Sequence, residues 1–502
     1  MEASSRQASS LVARNIVTLL GAQLITWAAT LVLVVSLPRY LGDTNLGKLT
    51  FATAYTELFA LFLGLGTFTY LIKEIAGDRE KLASYTFNAL AMRLPMSLLV
   101  SLAMVAGVNL LHYPASTKAI VYILCVLATV SSMNGVLGAS LQGVQNMRRL
   151  SIAGITEKVV LVTVGVALLV GGQGVIVYAL VALLGSVAGL AVNGAYFVKH
   201  LKKTPFRLDL RLWRKIFVGG LPFLIWDMAL TVYIRIDIIL LSFLASEAVI
   251  GWYGAAIRII AVPVFLPQVV TMAALPALSA SIGRASETFH SLARRSLNVV
   301  VLAAIPIGLG LFATADKVIG LFHYPDDFAN SVPLLAILAL AIPLLSTGMV
   351  LGMVLIALNR QRAWSLVAVT AACLNPALNL FMIPYFQSQH GNGAIGAAIV
   401  SVITEVYMTA MALLLMPKGI LGLSNLWFAL KCLAAGLAMV VVIRLLYQQN
   451  IVLIVPVAAF TYGLVCLALR ALTFEEIGTL WGFLRDYRTR TVRADEVAPG
   501  TV

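Results

Sequence analysis

The sequence predicts an all-α polytopic membrane protein of about fourteen transmembrane helices. Of its 502 residues, 61% are hydrophobic and only 11% are charged, and the mean hydropathy is +0.96. Apolar runs of about 20 residues recur along the chain, which is the length that a helix needs to cross roughly 30 Å of hydrocarbon. This composition excludes an ordinary soluble globular protein.

Basic residues mark alternate loops between the apolar runs. They concentrate at 73–81, 148–158, 199–215 and 360–362, while the loops around 171–174 and 385–393 contain no Lys or Arg. The positive-inside rule places the basic loops, and with them both termini, in the cytoplasm. The net charge of +14 is therefore assigned to topology and not to nucleic-acid binding. The fourteen predicted spans are 15–37, 50–70, 86–110, 118–141, 152–171, 174–197, 216–243, 249–272, 297–314, 332–357, 363–384, 394–416, 425–446 and 451–471.

Two halves of the chain resemble each other at corresponding places. Each half would hold six spans, and an even number of spans returns the chain to its starting side. The halves therefore have parallel topology and predict two facing six-helix bundles around a central cavity. The matched segments are Leu141–Arg148 with Leu355–Arg362, Gly172–Ile176 with Gly391–Ile395 and, more weakly, Leu41–Gly47 with Leu244–Gly251.

The predicted organisation follows from the repeat and the loop charges. We expect neither a metal site nor a cofactor, because the four cysteines lie singly inside apolar segments, without metal or redox spacing. The segments are a cytoplasmic N-terminal tail at 1–14, a first six-helix bundle at 15–197, a basic cytoplasmic linker at 198–215, a second six-helix bundle at 216–416, two extra transmembrane helices at 425–471 and a cytoplasmic C-terminal tail at 472–502.

Short motifs in both halves resemble those of the polysaccharide-biosynthesis (O-antigen-type) flippase family, over about residues 10–420. That family belongs to the multidrug/oligosaccharidyl-lipid/polysaccharide (MOP) exporter superfamily. The order and placement of the motifs on a six-plus-six-plus-two layout carry the resemblance, because no single motif is specific. The motifs are Arg39-Tyr40-Leu41-Gly42-Asp43 with Gly47, Gly64-Leu65-Gly66, Lys73-Glu74-Ile75-Ala76, Arg235 to Leu240, Gly251 to Ala256 and Pro276 to Ser279.

The resemblance implies a MATE-like fold in a bacterial or archaeal inner (plasma) membrane. It implies a transporter that moves a polyprenyl-diphosphate-linked oligosaccharide outward, coupled to an ion gradient. The expected partners are that substrate, membrane lipids and a polysaccharide polymerase or other assembly proteins.

Four charged residues inside predicted spans are candidates to line the cavity: Arg258, Glu57, Arg235 and Arg93. A charge in the bilayer costs about 2.5–3.5 kcal/mol on insertion scales, so it normally faces a cavity or a partner. Arg258 could bind a diphosphate through its planar guanidinium group, and Glu57 could exchange a proton or repel the released phosphate. For both, an ion pair or hydrogen bond within one bundle is the alternative. Arg93 could also snorkel to the interface.

Three acidic residues are candidates for a coupling-ion site: Asp227, Asp237 and Glu405. A carboxylate surrounded by hydrocarbon can take up a proton near neutrality, although structural pairing with a neighbouring helix explains the same placement. Proline removes a backbone donor from a helix, so Pro376, Pro263 and Pro267 are candidate hinges.

Two other functions fit parts of the pattern. A multidrug or cation antiporter has the same scaffold, but its cavity should favour acidic and aromatic side chains. A membrane glycosyltransferase, polymerase or ligase needs an external loop with catalytic carboxylates or histidines, and the longest such loop here is 315–331. Because that loop is short, we expect a transporter and not an enzyme. The sequence contains no Walker loop, so we do not expect direct use of ATP.

Overall fold

A computed structural model of the chain describes residues 2–201, 207–281 and 286–472. Within these ranges the secondary structure is α-helical apart from one short 3-10 helix at Asp326–Asn330 and an isolated bridge between Lys418 and Leu421. The helices are α1 (Glu2–Gly64), α2 (Thr67–Gly77), α3 (Lys81–Leu110), α4 (Ala115–Gly143), α5 (Met147–Val170), α6 (Val175–Leu201), α7 (Leu210–Leu244), α8 (Glu247–Ala261), α9 (Phe265–Ser281), α10 (Ser286–Leu321), α11 (Ser331–Ala339), α12 (Ala341–Ala357), α13 (Gln361–His390), α14 (Ala394–Leu415), α15 (Leu423–Leu445) and α16 (Ile451–Ala468).

The all-α membrane fold is confirmed. Among the described residues, eleven helices are long and apolar enough to cross a membrane, or twelve if α8 and α9 are counted as one span. The stretch Gly21–Gly77 is counted once, although it includes all of the predicted span 50–70 and most of the predicted span 15–37. Each of the fourteen predicted windows overlaps a helix, but the number of crossings and the arrangement in two bundles stay predictions.

The chain divides into two compact units that do not coincide with sequence halves. Unit 1 comprises Met1–Val262, Ile319–Leu338 and Gln361–Met411. Unit 2 comprises Pro263–Val318, Ala339–Arg360 and Ala412–Val502. None of the boundaries between the two units falls at 197 or 216, where the sequence places the end of the first bundle and the beginning of the second. The two bundles therefore stay a prediction. Residues 202–206 of the predicted linker and 473–502 of the predicted tail lie outside the described residues.

Glycine allows the first long helix to bend and then to stop. Gly42 has φ 71° and ψ 173°, a combination that an L side chain rarely adopts, and it kinks α1. Leu65 and Gly66 then have φ values of 49° and 63°, which end α1 and separate it from α2. The segment predicted as one span at 50–70 is therefore two helices.

The matched turns of the two halves have the same backbone geometry. Gln145 and Asn359 have φ values of 62° and 58° at the ends of α4 and α12. Each turn is closed by a hydrogen bond from the following amide to the carbonyl five residues before it, Asn146 to Leu141 at 2.8 Å and Arg360 to Leu355 at 2.9 Å. This is the Schellman pattern of helix termination. Gly172 and Gly391 likewise both have positive φ, at 80° and 65°.

The outward faces of the helices are apolar. On α3, Leu94, Leu98 and Leu102 follow one another at four-residue intervals and are each about 60% exposed. Residues at this spacing lie on one face of a helix. An exposed leucine stripe is unfavourable in water but suits hydrocarbon, which agrees with a surface that faces lipid.

Candidate functional site

The charged residues of the predicted spans come together mainly in unit 1. Arg235 of α7 donates through Nε to the Oε2 atom of Glu57 in α1. The pair is not sealed in the core, because the side chains are 30% and 41% exposed. Arg235 lies about 14 Å along the helix from the end of α7 at Leu244, which is well inside a bilayer of ordinary thickness. A partly exposed ion pair at this depth indicates a polar surface within the membrane.

Arg258 does not contact Glu57. Its Nη1 atom donates to Thr50 Oγ1 of α1 and to the carbonyl oxygen of Gly254, both at 3.0 Å. The guanidinium group is partly buried and is held by neutral oxygens alone. The residue that Glu57 pairs with is Arg235.

Asp237 is buried in a network that joins three helices. It accepts hydrogen bonds from the Tyr253 hydroxyl of α8 and from the backbone amide of Ile238. Tyr253 also lies 3.3 Å from the Ser401 hydroxyl of α14. Arg235 and Asp237 therefore have different partners, as their separation of roughly 200° around a helix requires.

Glu405 is the second buried carboxylate of unit 1. It is 7% exposed and accepts a hydrogen bond from the Tyr233 hydroxyl of α7. Tyr233 and Asp237 are four residues apart on α7, and Ser401 and Glu405 are four apart on α14, so each pair lies on one helix face. None of the ion pairs among the described residues includes Asp237 or Glu405.

The remaining candidates lie at separate places. Asp227 is partly buried on α7, and no hydrogen bond or ion pair joins it to another described residue. Pro263 lies in the break between α8 and α9, and Pro267 lies in the first turn of α9. Pro376 lies inside α13, which continues through it to His390. Their role as hinges stays a prediction.

Arg93 has a structural environment that the sequence did not reveal. It is fully buried, and its guanidinium group donates to the carbonyl oxygens of Leu63 and Gly64, the latter at 3.1 Å, and to Thr67 Oγ1. It also lies over the Phe68 ring, 5.1 Å from the centroid. These are the backbone carbonyls left without amide partners where α1 ends. Arg93 therefore caps the break between α1 and α2.

Two glycines bring α1 and α8 into direct backbone contact, which we call the Gly47–Gly251 crossing. A Cβ atom on Gly47 would overlap the carbonyl oxygen of Glu247, and one on Gly251 would overlap the carbonyl oxygen of Asp43. The contact is reciprocal, because in each helix the carbonyl lies four residues before the glycine. Only glycine permits backbones to approach this closely.

Polar side chains surround the crossing. Asp43 accepts from the Trp252 indole at 3.1 Å, and Glu247 accepts from Thr117 at 2.7 Å and pairs with Lys48 at 3.6 Å. These bonds connect helices of the first predicted half with α8 of the second half. They lie at the end of unit 1 that the loop charges predict to be external.

Sequence analysis missed the tyrosines and the threonine that bind the charged groups. Tyr233 and Tyr253 fall in apolar runs, where an aromatic residue is ordinary core packing. The four-residue spacing from Tyr233 to Asp237 was the available signal. Gly47 and Gly251 were noted as part of a repeat, but a glycine motif does not state which helix it approaches.

Solved structures with the same fold are membrane transporters. The lipid II flippase MurJ in an inward closed conformation is similar with a TM-score of 0.72, 14% identity, and coverage of 92% of this chain and 99% of that one. An inward-facing multidrug resistance MATE family transporter of the MOP superfamily is similar with a TM-score of 0.60, 16% identity, and coverage of 78% and 94%. At these identities the likeness is one of fold. It defines the chain as a polytopic α-helical membrane protein with the fold of these transporters.

The sequence comparisons give the family. The model of the family described as "Polysaccharide biosynthesis protein" matches residues 12–282, more than half of the chain, and the MatE model matches residues 222–381. The chain belongs to the polysaccharide biosynthesis protein family.

Two curated relatives come from Haloferax volcanii. A probable flippase, AglR, is 26% identical over 260 residues, which cover 49% of this chain and 53% of AglR. A probable low-salt glycan biosynthesis flippase, Agl15, is 24% identical over 180 residues, which cover 36% and 37%. The chain thus spans about half the length of the first of these relatives and a smaller part of the second.

Proposed function

We propose that the chain flips a polyprenyl-diphosphate-linked oligosaccharide from the cytoplasmic to the outer leaflet of the inner or plasma membrane, by alternating access. Both termini are cytoplasmic in this proposal, and the chain moves its substrate without chemical change. The family membership and the relatives named as flippases support it. The observation that carries it is the partly exposed Arg235–Glu57 pair, deep in α7 and α1.

Arg235 is the residue that we assign to the diphosphate. A guanidinium group presents a planar set of donors that matches phosphate oxygens, and it stays charged inside the membrane. Glu57 keeps this charge compensated while no substrate is bound. A diphosphate carries more negative charge than one carboxylate, so it displaces Glu57 from Arg235. Glu57 then repels the phosphate when the pair re-forms, which favours release.

Arg235→Gln is expected to slow flipping by roughly tenfold or more, because a charge-assisted contact to phosphate is lost. The measurement is the movement of a fluorescent polyprenyl-diphosphate oligosaccharide across proteoliposome membranes containing the full chain. Arg211→Gln is the matched control, since Arg211 is an exposed arginine near the beginning of α7. Arg258→Ala, in the same assay, tests the other candidate for the diphosphate.

The proposal fails if the wild-type chain moves the labelled lipid no faster than empty vesicles do. If the wild type is active and Arg235→Gln is equally active, the assignment of Arg235 is wrong. Equal slowing by Arg211→Gln would show that general surface charge, and not this pair, sets the rate.

We further propose that proton uptake by a buried carboxylate couples transport to an ion gradient, with Glu405 as the first candidate. Glu405 has a tyrosine hydroxyl and no cation as its hydrogen-bond partner, so its charged form is poorly compensated. Asp237 is the second candidate and Asp227 the third. A conformational change that separates Tyr233 from Glu405 would expose the carboxyl group to a proton.

Glu405→Gln is expected to remove the response to the proton gradient, because glutamine keeps the shape and cannot titrate. The check is a protonophore added to the proteoliposomes, which should slow the wild type and leave Glu405→Gln unchanged. Asp227→Asn, in parallel, should keep the wild-type response. If the protonophore slows transport by Glu405→Gln as much as it slows the wild type, Glu405 is not the coupling site.

A multidrug or cation antiporter is the second candidate, because the MatE model matches residues 222–381. Its cavity would use Glu57, Asp227 and Glu405 for an organic cation. The same proteoliposomes distinguish the two functions. Uptake of the organic cation ethidium without movement of the labelled lipid would favour the antiporter. An association with a polysaccharide polymerase or other assembly proteins remains part of the flippase proposal.

A further inference from the structure

Unit 2 contains a polar cavity at the beginning of α10 that has no part in the proposed flipping site. Its volume is about 400 Å³, and its lining residues are Glu287, His290, Ser291, Arg294, Arg295 and Asn298. Two arginines and a histidine thus outnumber a single acidic side chain. A concave site with this excess of basic groups attracts anions.

The cavity lies at the level expected for lipid headgroups. Arg295 and Asp316 are about 32 Å apart along α10 at 1.5 Å per residue, close to the thickness of the hydrocarbon core. Residues 297–314 between them contain no charged side chain. The two charges therefore mark the two interfaces of one crossing helix. The loop charges predict that the Arg295 end is cytoplasmic.

The wall of the cavity is fixed by hydrogen bonds to the segment before α15. Arg294 donates from Nε to the carbonyl oxygen of Ile420 at 2.6 Å and from Nη2 to that of Gly419 at 2.7 Å. Gly419 has a φ of 94°, a backbone conformation that residues with a side chain rarely adopt. This segment therefore holds one edge of the Arg294 guanidinium group and fixes its orientation.

A second connection ties the same wall to the beginning of α15. Asn298 accepts from Asn425 Nδ2 at 3.0 Å, and Asn425 Oδ1 accepts from the Gly422 amide at 3.3 Å. α15 begins at the next residue, Leu423, so its amide-rich end is held beside Arg294. The beginning of α15 therefore supports the Arg294 side of the cavity, although the lining residues themselves are all on α10.

We propose that this cavity binds the phosphate group of an anionic membrane-lipid headgroup. Arg295 is the exposed ligand, and Arg294, held by the carbonyl oxygens of Ile420 and Gly419, is the fixed one. A headgroup fits better than free phosphate for two reasons. The cavity is larger than inorganic phosphate requires, and at interface depth the local concentration of lipid headgroups is high. Basic pockets at the cytoplasmic side of membrane helices bind such headgroups.

The test is lipid retention by the purified full chain in detergent, measured by native mass spectrometry after addition of phosphatidylglycerol or phosphatidylcholine. We expect phosphatidylglycerol to be retained preferentially and to raise the melting temperature. Arg295→Gln should weaken phosphatidylglycerol retention about fivefold, which is the contribution of one basic residue near an anionic lipid surface. Arg295 is a better position than Arg294, since loss of Arg294 would also release the 419–420 segment.

Arg362→Gln is the matched control, because Arg362 is an exposed arginine at the beginning of α13 on the same predicted side. It should keep wild-type retention, and both variants should melt at the wild-type temperature without added lipid. Equal retention of the two lipids, or equal loss in the two variants, would overturn the proposal. Displacement of phosphatidylglycerol by millimolar inorganic phosphate would show that free phosphate, and not lipid, is the ligand.

Discussion

Replacing Arg93 with leucine is expected to destabilise the protein more than any other single change to its charged residues. The substitution keeps much of the apolar volume but removes the donors to the carbonyl oxygens of Leu63 and Gly64 and to Thr67. The Leu63 carbonyl is left without a donor, which costs roughly 1–3 kcal/mol. Two further hydrogen bonds to a charged group are lost as well, since Gly64 keeps only the hydroxyl of Thr67, at 2.8 Å. The expected loss is about 3 kcal/mol or more, measured as a lower melting temperature of the detergent-solubilised chain.

Two companion variants separate the cap from the charge itself. Arg93→Lys keeps the charge but provides fewer, differently directed donors, so its melting temperature should lie between those of the wild type and Arg93→Leu. Arg149→Leu removes an exposed arginine that lies over the Tyr196 ring, 4.8 Å from its centroid. It should change stability by at most about 1 kcal/mol. If Arg93→Leu melts like Arg149→Leu, the carbonyl cap contributes little.

Gly251→Ala is expected to abolish most transport while leaving the chain folded. The added Cβ would overlap the backbone carbonyl of Asp43, which cannot rotate away as a side chain can. Overpacking of this kind typically costs about 1–3 kcal/mol. The alternating access that we propose requires the predicted external side, where the Gly47–Gly251 crossing lies, to open and close, so the cost applies only while the crossing is closed. The closed state should therefore lose population by a factor of roughly 5 to 150. Flipping rates in proteoliposomes measure the consequence.

Thiol accessibility measures the population shift directly. Thr50 is 4% exposed, lies in α1 beside the crossing and contacts Arg258, so Thr50→Cys should react slowly with an impermeant thiol reagent. Both variants must be made in a chain whose four native cysteines have been replaced, so that only the thiol at position 50 reacts. Adding Gly251→Ala should accelerate the reaction.

Gly194→Ala in α6 is the matched control, since a Cβ there would have no neighbour within 4 Å. It should leave both transport and Thr50→Cys reactivity unchanged. Wild-type transport by Gly251→Ala would show that the crossing is not part of the transport cycle.

The helices could be predicted from the sequence because the bilayer imposes one simple rule. A run of apolar residues long enough to cross hydrocarbon must satisfy its backbone internally, so it becomes a helix. The limits of that rule appear where glycine and proline interrupt a run. The window 50–70 contains the break at Leu65 and Gly66, and the window 249–272 contains the break near Pro263. Apart from one charged residue in each, both windows are predominantly apolar on both sides of the break, so hydropathy alone does not divide them.

The candidate site was predictable in its members but not in its pairings. Charge inside a span identified Glu57, Arg235 and Asp237, because such residues normally face a cavity or a partner. Which partner each has depends on how helices distant in sequence pack, and hydropathy contains no such information. Arg93 shows the same limit: its acceptors are backbone carbonyls, which every residue has. The turns at Gln145 and Asn359 were predictable as a pair, because their local sequences resemble each other.

The Gly47–Gly251 crossing has a mechanical consequence. Its two backbones touch through Cα–H groups that point at carbonyl oxygens, and such contacts are short-ranged and individually weak. At the point of contact no side chain intervenes, so no rotamer change can keep the two backbones in contact as the helices part. A small displacement is therefore enough to break the backbone contact, while the surrounding side chains, such as Trp252 on Asp43 and Lys48 on Glu247, can follow the movement and still connect the helices.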